Sequence, residues 1–72
     1  MSTDTHTLAE QARHMGYRTS EQIINRLERF LIKNEAYLAR HKARGTHTSH
    51  DDTLAEDCCV IGLCIQLLQE AT

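Results

Sequence analysis

Between Thr53 and Ala71 the chain reads TLAEDCCVIGLCIQLLQEA. Placing successive residues 100° apart, as on an α-helix, puts Leu54, Cys58, Ile61, Ile65 and Leu68 on one side, with Val60, Cys64, Leu67 and Ala71 directly beside them. Together they fill about half the circumference, more than the stripe a helix needs to pack on one neighbour. Leu63 and Cys59 lie beyond even that. A helix this apolar needs cover on two sides, and the rest of the 72-residue chain has room for one long helix and one short one. The stretch therefore predicts a helix over about residues 54–70 that a second molecule helps to cover.

The remaining sequence is read outward from that helix. No proline, three glycines and little Val, Tyr, Phe or Trp leave strands and their turns poorly supplied, so the fold class is all-α. A chain this short makes a marginal core and is read as a single small helical domain over residues 1–72, with residues 1–6 flexible. Helix starts are read from capping boxes, in which a Ser or Thr accepts from first-turn amides and a Glu or Gln three residues on reaches back. The tetrapeptide TLAE at Thr7–Glu10 and again at Thr53–Glu56 fits that pattern, as does Thr19-Ser20-Glu21-Gln22. Both copies of TLAE are thus expected to mark helix starts.

The first helix is predicted over about 8–15, with Leu8, Ala12 and Met15 on one face, ended by Gly16 and a folded-back Tyr17. The second runs over about 20–43 and ends at Gly45; Ile23, Ile24, Leu27, Phe30, Leu31, Tyr37 and Leu38 form its apolar stripe. Asn34 and His41 occupy core-type positions in that stripe, where a polar side chain sets register or meets a polar partner. Gly62, inside the third helix, suggests a close helix approach that offsets its cost relative to alanine. The expected architecture is a short N-terminal helix followed by a long antiparallel helical hairpin, with helix one folded across one end and two chains paired into a dimeric four-helix-like bundle.

Charge supports the hairpin. Arg18 to Arg44 holds seven basic and three acidic residues, whereas Gly45 onward holds Asp51, Asp52, Glu56, Asp57 and Glu70 and nothing basic. The basic arm therefore has an internal counter-charge, and with no aromatic cluster for base stacking a nucleic-acid partner is not expected. The alternative is a helix-turn-helix-like DNA-binding regulator built on residues 7–24, using Arg13, Arg18, Thr19, Ser20 and Gln22. Residues 7–24 resemble that motif in outline, but Gln11 and Gln22 stand where apolar residues normally hold its two helices together.

Other chemistry has less support. His47 and His50, near Asp51, Asp52 and His41, are weak metal candidates without a second fixed pair of ligands, so no metal and no cofactor are expected. Cys58, Cys59 and Cys64 read as small, buried, reduced thiols rather than nucleophiles, and no phosphate-binding loop is present. The chain is not read as an enzyme. It lacks a run of about 20 apolar residues and a secretion signal, and is expected to be cytoplasmic with no membrane partner. The expected function is that of a non-catalytic homodimer that binds another protein stoichiometrically as a regulator, inhibitor or accessory factor, as small helical proteins of bacteria and phages do. Contact residues are expected among Tyr17, Phe30, Ile32, Tyr37, Leu63, Ile61, Ile65 and Leu68.

Overall fold

The computed structural model describes residues 4–71. Three helices follow one another, α1 (Thr5–His14), α2 (Ser20–Arg44) and α3 (Ser49–Ala71), and the described residues contain no strand. No helix among them is long and apolar enough to cross a membrane.

Each helix start has an identifiable acceptor. Asp4 caps α1, accepting from the amides of His6 at 3.0 Å and Thr7 at 3.4 Å, while the Thr7 hydroxyl donates to it at 2.8 Å. That hydroxyl bond, then the amide bonds, hold the Asp4 carboxyl below its usual 3.8 against the opposing effect of desolvation. The first TLAE therefore lies inside α1, because a carboxylate three residues earlier is the stronger acceptor at the positive end of a helix. Of the stretch expected to be flexible, Thr5 and His6 are helical and residues 1–3 lie outside the described residues. The box at Thr19 forms as expected: the Gln22 amide donates to Thr19 Oγ1 at 3.2 Å, and Gln22 Oε1 accepts from the Thr19 amide at 3.1 Å. It also accepts from the Arg18 amide at 2.8 Å.

The start of α3 differs more. It begins at Ser49, a turn ahead of the second TLAE, because Thr48 and Asp51 form their own reciprocal pair. The Asp51 amide donates to Thr48 Oγ1 at 3.4 Å and the Thr48 amide to Asp51 Oδ2 at 3.3 Å. Thr53 then sits inside the helix with its hydroxyl on the Ser49 carbonyl. Neither copy of TLAE caps anything.

Helix ends follow the glycines. Gly16 (φ +106°) and Gly45 (φ +71°) adopt the left-handed conformation that side chains disfavour. Around Gly16 the Tyr17 amide reaches the Ala12 carbonyl and the Gly16 amide the Arg13 carbonyl; around Gly45 the Thr46 amide reaches His41 and the Gly45 amide Lys42. Both are Schellman arrangements, and Tyr17 folds back as the sequence implied.

Among the described residues, close backbone approach between helices is confined to α2 and α3, which are joined by Gly45–Thr48. Ser20, Ile23, Leu27, Phe30, Asn34, Tyr37 and His41, at three-four spacing, are the partly buried residues of α2, with Ile24, Leu31 and Leu38 beside them. Asp51, Leu54, Cys58, Ile61, Ile65 and Leu68 repeat the spacing on α3. Two heptad-like stripes thus meet. Cys58 and Ile65 are the only buried apolar side chains among the described residues. Gly62 marks no close approach: nothing lies within 4 Å of where a Cβ would stand.

Helix α1 makes no close backbone approach to α2 or α3, so it is not folded down across one end. The molecule is correspondingly open. Its surface is 5941 Å², against roughly 4,500 Å² for a folded monomer of this mass. Its radius of gyration is 14.5 Å, against about 11 Å for a compact chain of this length.

Candidate docking surface

Polar side chains converge at the corner between α2 and α3. Asp51 is 1% exposed, with its Oδ2 3.0 Å from Nδ1 of His41 in the last turn of α2. As a carboxylate it accepts, so Nδ1 carries the proton. Burial pushes the Asp51 carboxyl up; the hydrogen bonds from His41 and the Thr48 amide and the charges of His41 and His47 outweigh it, leaving a net shift below 3.8. The Asp51 Oδ1 is buried without a hydrogen-bond partner. The His41 ring lies 4.0 Å from that of Tyr37, tilted by 38°. Since the His41 carbonyl also receives Thr46, this one residue ties the end of α2 to the start of α3. Asn34, the other polar residue of the stripe, instead donates to the Phe30 carbonyl at 2.8 Å within its own helix.

His47 pairs with Asp52 and His50 is exposed. No group of three or more His, Cys, Asp or Glu side chains among the described residues is arranged to hold a metal ion. Burial, followed by Glu35, Cys59 and Asp57, pushes the Cys58 thiol up. Cys59 and Cys64 are exposed, contrary to expectation, because α3 is covered on one side only.

The surfaces left open are apolar. Between α1 and the start of α2 runs a groove of about 520 Å³ lined by Ala9, Ala12, Arg13, Met15, Tyr17, Ile23, Arg26 and Leu27. Met15 is 74% exposed there, and no residue of α1 is buried. On α3, Val60, Leu63 and Leu67 form a second face, the two leucines each 56% exposed, with Cys64 between them. No charged residue occurs from Cys58 to Gln69.

The residues expected to make contacts separate accordingly. Ile65 is buried within the chain, and Phe30, Tyr37, Ile61 and Leu68 are half-buried on the α2 and α3 stripes, so these serve the intramolecular packing. Ile32 (71% exposed) and Leu63 remain open, and Tyr17 lines the groove. Met15, Val60 and Leu67 were missing from that set. The signal for Val60 and Leu67 was their place beside the core stripe of α3; none existed for Met15, since a one-sided helix face reads the same whether it is docked or not.

Three residues of the DNA-binding alternative have local uses. Thr19 and Gln22 form the α2 capping box, and Arg13 pairs with Glu10 at 3.0 Å. Ser20 is half-buried in the first turn of α2, and the Arg18 side chain is exposed. Helix-turn-helix recognition needs two helices held against each other, whereas α1 makes no close backbone approach to α2. No family model, curated protein or solved structure matches the chain.

Proposed function

We propose that the protein is a non-catalytic helical interaction module in which α2 and α3 form an antiparallel hairpin and two copies pair into a four-helix-like bundle. The assembly binds another protein stoichiometrically, as a regulator, inhibitor or accessory factor. One observation carries this reading: α3 keeps an uncharged face of Val60, Leu63, Cys64 and Leu67 exposed, while Cys58 and Ile65 are the only buried apolar side chains among the described residues. Apolar patches of that kind on a small protein mark contact surfaces. The surplus of surface over a compact monomer, roughly 1,400 Å², exceeds the roughly 800 Å² per partner that a standard interface covers. Dimerisation is a usual remedy for so small a core.

Light scattering across a wide concentration range tests it. A dimer at micromolar protein, converted to monomer by Leu63→Lys without loss of helicity, is the expected result. A well-folded monomer at every concentration would remove the proposal.

A further inference from the structure

The dimer just proposed needs a seat for the α3 face, and charge discriminates between α3 pairing with α3 and α3 pairing with the α1–α2 groove. Helix α3 carries Asp51, Asp52, Glu56, Asp57 and Glu70 and no Lys or Arg. Face-to-face pairing of two α3 helices would therefore set the bordering Glu56 and Asp57 against an equally acidic neighbour. Juxtaposed like charges oppose association, and α3 itself carries no cation to offset them.

The groove between α1 and α2 offers the complementary environment. Its floor is Ala9, Ala12, Met15, Tyr17, Ile23 and Leu27; its charged members are Arg13 and Arg26. Arg13 already pairs with Glu10, but Arg26 has no carboxylate partner among the described residues. At about 520 Å³ the groove falls in the range of roughly 300–1,000 Å³ typical of pre-formed apolar sites. The face from Val60 to Leu67 spans two turns, about 10 Å of helix. In the hairpin, moreover, the start of α2 lies beside the end of α3, so groove and face sit at the same open end of the molecule. Closed two-fold pairing asks for that proximity, because each copy must give and receive at once.

We infer that each copy seats the Val60, Leu63, Cys64 and Leu67 face of its α3 in the α1–α2 groove of a second copy. The inference rests on the dimer proposed above and names its interface. It also accounts for the standing-off of α1, which leaves the groove open.

Native Cys64 makes the arrangement testable. In a Cys59→Ser background, Ala12→Cys or, independently, Ala9→Cys places a thiol in the groove; circular dichroism checks the fold of each, and light scattering its size. Mild oxidation followed by peptide mapping should reveal an intermolecular disulfide between position 12 or 9 of one copy and Cys64 of the other, abolished by Cys64→Ser. Arg26→Glu should weaken dimerisation about tenfold or more, since it sets a carboxylate against an acidic helix. A dimer linked through Cys64 on both copies and insensitive to Arg26→Glu would overturn the inference while leaving the dimer intact. A dimer in which neither folded groove variant links would overturn it equally, and a strictly monomeric protein would overturn both proposals.

Discussion

Asp51 and His41 show how much one residue pair settles here. They stand at the junction of α2 and α3, one in the last turn where a cation is favoured and one in the first turn where an anion is. The folded state holds the Asp51 carboxyl below 3.8, so its contribution to stability is complete above that value and is lost as the pH falls through the depressed one. Acid titration of thermal stability should therefore show a loss below about pH 4. Asp51→Asn should lack that part of the loss; an unchanged acid limb would exclude Asp51 as its source. Two other positions give signed expectations. Thr19→Ala removes the hydroxyl that caps α2 and should cost about 1 kcal/mol, or about 4–8 °C in Tm. Gly62→Ala should stabilise by about 0.5–1 kcal/mol, because the helix gains propensity and the new methyl meets nothing. A lower Tm for Gly62→Ala would instead reveal a neighbour pressed against that position.

At the level of elements, α3 has two apolar faces with different fates. Its inner face packs on α2, so Ile65→Ala should cost about 2–4 kcal/mol. That is most of the roughly 3–5 kcal/mol a core of this size supplies, and the far-ultraviolet helical signal should fall steeply. Its outer face leaves Leu63 and Leu67 each 56% exposed. Leu67→Gln should change the unfolding free energy of the dilute protein by no more than about 0.5 kcal/mol while abolishing association. Equal destabilisation by both substitutions at every concentration would show that the outer face is covered within the chain. Helix α1 differs again: capped at both ends and without a buried residue, it owes its form to local hydrogen bonds.

For the molecule as a whole, openness is the governing property. The longest dimension, 40 Å, is little more than the length of α2, about 37 Å at 1.5 Å per residue. Among the described residues, only α3 makes a close backbone approach to that spine. If a second copy completes the fold, the midpoint of thermal unfolding rises with protein concentration, since association stabilises the folded form by mass action. A midpoint constant over a hundredfold range of concentration would contradict the dimer.

Local patterns carried far in the sequence. The all-helical class, the glycine ends at Gly16 and Gly45, the capping box at Thr19 and the two-sided apolarity of α3 were legible because each depends on residues within a turn or two of one another. The starts of α1 and α3 were misplaced because several side chains competed for the same amides, and TLAE is outbid by Asp4 at one end and by Thr48 with Asp51 at the other. Tertiary structure alone decided that Asp51 would be buried on His41, that Gly62 would face open space and that α1 would stand away from α2. Those outcomes depend on where one helix lies relative to another, and hydrophobic period records which face of a helix avoids water without recording what it meets.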